Sequence, residues 1–156
     1  MHIEQLTQKN AETIADTWKY PGIYAFYNMT ADPEDYEEIV TAQMRRDYYY
    51  QVIDDGKLHG FFALYQDDDA VELGLGLRPD LAGHGHGETF VRLILNFISE
   101  VSAAHVARLA VAEFNERAIT VYRRVGFVET RRYEQETNNS IYEFVEMEKQ
   151  ITHAHK

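Results

Sequence analysis

The chain has 156 residues, 45% hydrophobic and 13% aromatic, enough apolar material for one globular domain with a filled core. Its 26 Asp and Glu outweigh 15 Lys and Arg, and the resulting formal charge of -11 repels nucleic-acid phosphates and anionic lipid surfaces while suiting amine partners. It has no cysteine, which excludes disulfides, thiolate metal sites and a cysteine nucleophile.

The first six residues lack the basic flank and apolar run of a signal peptide, and no later stretch reaches membrane-spanning length. A cytoplasmic location follows as the expectation, with no nucleic-acid or membrane partner. Ile3 and Leu6 mark a short edge strand, and a helix is predicted from about residue 11 to residue 20, stopped by Pro21. A loop rich in aromatics comes next. Asp32 is an N-cap with Pro33 at the first helical position, and Tyr36, Ile39, Val40 and Met44 recur at helical spacing, so a second helix is predicted as far as Arg45.

From Tyr48 the period changes to two. Residues 48–53, 58–65 and 71–77 read as an antiparallel meander, with turns at Asp55-Gly56 and at Asp67-Asp68-Asp69. A helix over 87–101 carries the apolar stripe Phe90, Leu93, Ile94, Phe97, Ile98 and Val101. A strand over 105–112 follows, then a helix capped by Asn115 and ended by Gly126, then two strands meeting around Asn138-Asn139. This order predicts an α+β fold: a mixed, mostly antiparallel central sheet with helices on both faces. Only the strand–helix–strand crossover over residues 71–112 is expected to be parallel, and right-handed. Residues 1–150 are expected to form the single domain, and 151–156, with His153 and His155, a polar tail.

The chemistry is expected where the crossover helix begins. Gly83, Gly85 and Gly87 alternate with His84 and His86, a spacing that removes side chains where a ligand touches backbone and lets successive N–H groups converge on an anion at a helix start. No Lys-Ser or Lys-Thr pair follows, and the spacing differs from GxGxxG, so neither a Walker-type nucleotide site nor a dinucleotide fingerprint fits. A plain strand-to-helix turn is the structural alternative. His84-x-His86 lacks an evident third metal ligand, and no metal is expected. Asp67-Asp68-Asp69 lacks the glycine and closing glutamate of a calcium loop and reads as a solvated hairpin tip.

With Gly85 and Gly87 in its two small positions, this loop resembles motif A of the GNAT N-acetyltransferases, Gln/Arg-x-x-Gly-x-Gly/Ala. Ala82 stands where that motif has Gln or Arg. The stretch from Leu109 to Phe127 is similar to the family's motif B, a strand leading to Asn115-x-x-Ala118-x-x-x-Tyr122 and then Gly126-Phe127. Taken singly, Asn115 reads equally as a cap, Ala118 as packing and Tyr122 as core.

The resemblance implies the acyl-CoA N-acyltransferase fold and transfer of acetyl from acetyl-CoA, a cosubstrate, to a primary amine, small or protein-borne. The amine attacks directly in a ternary complex, without a covalent enzyme intermediate. It further implies that backbone around Gly83, His84, Gly85, His86, Gly87 and Glu88 holds the CoA pyrophosphate, with Leu75, Leu77, Asn115 and Ala118 also on the cofactor side and Tyr122 protonating the departing thiolate. Homodimers are common among such domains.

On the strand over 71–77, Val71, Leu73, Leu75 and Leu77 point one way while Glu72, Gly74 and Gly76 point the other, leaving a nearly bare face with a single carboxylate. Glu72 is therefore the candidate base for the amine, against a plain solvent-facing or arginine-paired role. Among Trp18, Tyr20, Tyr24, Phe26 and Tyr27, the loop residues Tyr24 and Tyr27 are candidates for an amine pocket through cation–π attraction, or else ordinary packing. Two other readings stay open: a non-catalytic GNAT-fold CoA sensor or structural module, and a non-CoA nucleotide-binding module.

Overall fold

The computed structural model describes residues 1–137 and 140–153. Seven strands, β1 (His2–Gln5), β2 (Tyr49–Asp54), β3 (Lys57–Asp67), β4 (Ala70–Leu77), β5 (Val106–Ala112), β6 (Val128–Thr137) and β7 (Ser140–Gln150), form one sheet in the order β1-β2-β3-β4-β5-β7-β6. Pairing is antiparallel for β1 with β2, β2 with β3 and β5 with β7, and parallel for β4 with β5. The expected α+β sheet is therefore present. The turn expected around Asn138-Asn139 and the tail residue His155 lie outside the described residues.

The chain divides into two compact units. The first gathers Met1–Ala63 and Leu75–Leu81. Its first helix, α1 (Gln8–Thr17), starts three residues earlier than the apolar pattern predicts, because Thr7 caps it by accepting a hydrogen bond from the Asn10 amide at 3.1 Å. After Trp18 the aromatic segment winds into a 3-10 turn, Gly22–Tyr27. Asp32 caps α2 (Pro33–Val40) through the amides of Glu34 and Asp35, as expected. The predicted continuation to Arg45 is broken at Thr41, and a separate turn, α3 (Ala42–Arg45), follows. Arg45 is buried, and its guanidinium donates to the Ile39 carbonyl at 2.5 Å, thereby capping the end of α2. Gln51, also buried, accepts from the Thr7 amide (3.2 Å) and the Asn10 amide group (2.8 Å), fastening α1 to β2. Asp55 and Gly56 both take positive φ (52° and 75°), the turn that joins β2 to β3.

The second unit gathers Leu64–Gly74, Ala82–Glu136 and, among the described residues, 140–153. Helix α4 (Gly87–Val101) has the predicted bounds, although its buried residues are Phe90, Val91, Ile94 and Ile98, and Val101 is left exposed. Helix α5 (Glu116–Val125) runs from the Asn115 cap to Gly126, which takes the left-handed conformation (φ 115°) that favours glycine at a helix end. It buries Ile119, Tyr122 and Val125. Strand β5 is registered along β7 from Val106↔Gln150 to Ala112↔Phe144. His153, read from sequence as part of a polar tail, docks its ring between the carbonyls of Ser99 (3.1 Å) and Ala104 (2.8 Å) at the end of α4. Among the described residues no helix is long and apolar enough to cross a membrane.

Candidate functional site

The three alternate glycines do different jobs. Gly83 and Gly85 take positive φ (79° and 85°), a region costly for any residue with a Cβ. A Cβ on Gly83 would lie 2.5 Å from Arg117 Nη1, and one on Gly87 would lie 3.3 Å from Val121 Cγ2. Arg117 and Val121 are one turn apart on α5, so this helix runs along the loop and accounts for two of the glycines by packing. Gly85 alone among the three has nothing within 4 Å of its Cβ position. The open part of the loop is therefore narrower than the sequence spacing suggests, and it is centred on Gly85.

This opening sits at the head of a 15-residue helix. His86 occupies the N-cap position without a side-chain cap, and the first intrahelical bond runs from the Phe90 amide to the His86 carbonyl at 3.1 Å. The preceding amides of the first turn thus have no intrahelical acceptor and carry the positive end of the helix dipole. Glu88, whose carboxylate would oppose an anion here, is paired with Arg92 at 3.2 Å. An open left-handed glycine before uncapped helix amides fits a phosphate group.

Motif B is built on the neighbouring element. Asn115 Oδ1 accepts from the Ala118 amide at 3.2 Å, so the asparagine does cap α5. Ala118 is half-buried one turn in. Tyr122 is buried, 5.8 Å from the ring of Phe127, and its carbonyl accepts from the amides of Gly126 (3.1 Å) and Phe127 (2.9 Å). The Asn, Ala, Tyr and Gly-Phe markers therefore shape one helix and its exit.

Glu72 is not a lone carboxylate. It lies at the last rung of the parallel register, Ala70–Glu72 with Val106–Arg108, and its Oε1 accepts from Arg108 Nη1 at 3.1 Å. Arg108 also reaches Glu148 (2.7 Å) and Asp67 (3.5 Å), and the hydrogen bonds it donates to Glu148 and then Glu72 push its guanidinium pKa further up. Sequence reasoning missed Arg108, because the contact depends on strand register. The strand face is open at Gly74, where nothing lies within 4 Å of a Cβ, but not at Gly76, whose Cβ position is filled by the Phe61 ring at 2.5 Å. The hairpin tip is occupied as well: Asp69 meets His105 Nδ1 at 2.6 Å.

In the first unit, Tyr24 and Tyr27 lie half-buried in the 3-10 turn, with Tyr27 edge-on to Phe26 at 5.0 Å. Leu75 and Leu77 are half-buried at the end of β4. The Leu77 carbonyl accepts from the Tyr20 hydroxyl at 2.6 Å, and burial pushes that phenol's pKa up. Of the loop histidines, both exposed, neither gains a third ligand: among the described residues no three His, Asp or Glu side chains gather as a metal site.

The family model described as the acetyltransferase (GNAT) domain matches residues 1–128. Among solved structures, a spermidine N-acetyltransferase chimera from Vibrio cholerae and hSSAT is 20% identical, with a TM-score of 0.75 over 96% of both chains. The Vibrio cholerae spermidine N-acetyltransferase in complex with CoA and spermine is 17% identical, with a TM-score of 0.73 over 96% of this chain and 95% of that one. The ribosomal-protein-S18-alanine N-acetyltransferase of Escherichia coli is 18% identical, with a TM-score of 0.70 over 99% and 96%. These identities carry the fold alone. No curated protein sequence matches the chain.

Proposed function

Because the chain belongs to the GNAT acetyltransferase family, an enzyme family whose donor is acetyl-CoA, we propose that it transfers that acetyl group to a primary amine by direct attack in a ternary complex. The observation that carries this reading is Gly85: left-handed, open at its Cβ position, and set before the uncapped first turn of α4. Backbone amides from Gly83 to Glu88 hold the pyrophosphate, and the bound donor supplies an activated thioester. Asn115 caps α5 through the Ala118 amide, and Arg117 and Val121 of that helix pack against Gly83 and Gly87 of the loop.

Tyr122 donates its phenolic proton to the departing sulfur, since a phenol (pKa near 10) is within reach of a thiolate (near 8.5) and a hydrogen bond alone stabilises the leaving group. The ammonium must first lose a proton, either to Glu72 or to a water. Arg108 donates to one of the two Glu72 carboxylate oxygens, Oε1. Structural neighbours that act on spermidine and on a ribosomal-protein alanine support an amine acceptor.

The test is free-thiol release from acetyl-CoA against spermidine, free amino acids and an alanine-starting peptide, with the acetylated product identified by mass. Amine-dependent release supports transfer. Tight CoA binding without amine-dependent release from any of these would instead support a non-catalytic CoA-binding module.

A further inference from the structure

We propose that Arg117 is a phosphate-binding residue, supplying from α5 the cation that the glycine loop itself lacks. The inference rests on the proposed placement of CoA at this loop. Between Arg78 and Arg92 the chain carries no lysine or arginine, and Ala82 offers only a methyl group where the family motif has a Gln or Arg side chain. A polyanion approaching a protein of net charge -11 needs local compensation that backbone amides supply only in part.

Arg117 is placed to provide it. Its Nη1, Cζ and Cδ atoms would lie 2.5, 3.2 and 3.6 Å from a Cβ on Gly83, so both the guanidinium and its stem lie against Gly83. Gly83 is two residues from the open Gly85, and Arg117 is itself exposed, so its charge is presented at the solvent side of the same loop. Val121, one turn further along α5, makes the matching contact at Gly87, which fixes the helix against the loop rather than leaving the arginine on an unanchored segment. A guanidinium presents paired N–H donors to phosphate oxygens, a geometry lysine does not reproduce. The same contact gives Gly83 a second reason to be glycine, since any side chain there would displace Arg117 as well as strain the backbone.

The ligand chemistry is a phosphate group, which CoA carries both as pyrophosphate and as the ribose 3′-phosphate. Calorimetric titration of the full-length protein with CoA and with 3′-dephospho-CoA separates the two. Arg117→Met keeps the stem over Gly83 and removes the charge. It is expected to weaken CoA binding by about 10- to 100-fold, the range for losing charge-assisted hydrogen bonds, and to lower the slope of log affinity against log salt. Arg117→Lys should fall in between, and Ala82→Arg in the Arg117→Met background should restore part of the loss.

A loss confined to CoA assigns the 3′-phosphate, and a loss shared with dephospho-CoA assigns the pyrophosphate. Wild-type affinity and salt slope in Arg117→Met, with binding weakened by about 100-fold in Gly85→Asp, would overturn the role of Arg117 and leave the loop standing. Wild-type binding in both variants would overturn the loop as the CoA site, and Arg117 with it.

Discussion

Replacing Gly85 separates backbone strain from ligand chemistry, because φ is 85° there while nothing lies within 4 Å of the Cβ position. Gly85→Ala adds a methyl group without a clash, and the left-handed conformation alone costs roughly 1–2 kcal/mol. For a chain of this size that lowers Tm by about 2–8 °C. Gly85→Asp carries the same strain or slightly less, since aspartate tolerates left-handed backbone, and it adds a carboxylate at the mouth of the cradle. At about 5 Å from a phosphate charge and an effective dielectric near 20, the repulsion is about 3 kcal/mol, or on the order of 100-fold in affinity. The two proteins should therefore melt alike and differ in CoA affinity by about two orders of magnitude, measured by calorimetry at low salt. If Gly85→Asp binds CoA within a few-fold of Gly85→Ala, the phosphate does not sit at this loop.

Tyr122→Phe should leave Tm near wild type, because only a hydroxyl is lost from a ring already packed near Phe127, while kcat falls by about 100-fold or more where chemistry limits the rate; an unchanged kcat in the folded variant reduces Tyr122 to packing. Glu72→Gln should lower turnover and shift the pH–rate profile while retaining a contact to Arg108, and an intact profile assigns the base elsewhere. Asp35 lies in the first turn of α2; loss of hydration around its carboxyl, although the residue as a whole is exposed, and then the carboxylates of Asp32, Glu38 and Glu34, push its pKa up to about 6. Its folded pKa exceeds the unfolded value of 3.8, so the native state holds the extra proton in the window between these values and loses relative stability as pH rises through it. Denaturant titrations of Asp35→Asn should show its stability relative to wild type rising from pH 4 to pH 7, and a pH-independent difference contradicts the shift.

Local chemistry was legible where one residue decides the geometry. Asp32 before Pro33, Asn115 before α5 and Gly126 after it each fix a helix end through their own side chain or lack of one. The bounds of α4 followed from a glycine at one end and an apolar run of fixed period. The start of α1 was displaced because the apolar pattern begins at Ala11, whereas the cap, Thr7, precedes a polar first turn. Within the candidate site, the glycines were legible as a group but not in their separate roles. Gly83 and Gly87 answer to Arg117 and Val121, which lie about thirty residues further along, and only the packing of α5 brings them together. The same holds for Glu72, whose partner Arg108 is set by strand register, and for Gly76, whose apparent bareness is filled by Phe61 from another strand. Period-two alternation tells which way a side chain points. It does not tell what already occupies that side.

Hydrogen exchange with and without acetyl-CoA tests the account most directly, because it reads the amides assigned to the donor. Protection is expected at residues 83–89, the open glycine and the uncapped first turn of α4, together with the start of α5 from Asn115, and it should disappear in Gly85→Asp. Saturating acetyl-CoA that leaves exchange over 83–89 unchanged while protecting another segment would contradict the assignment.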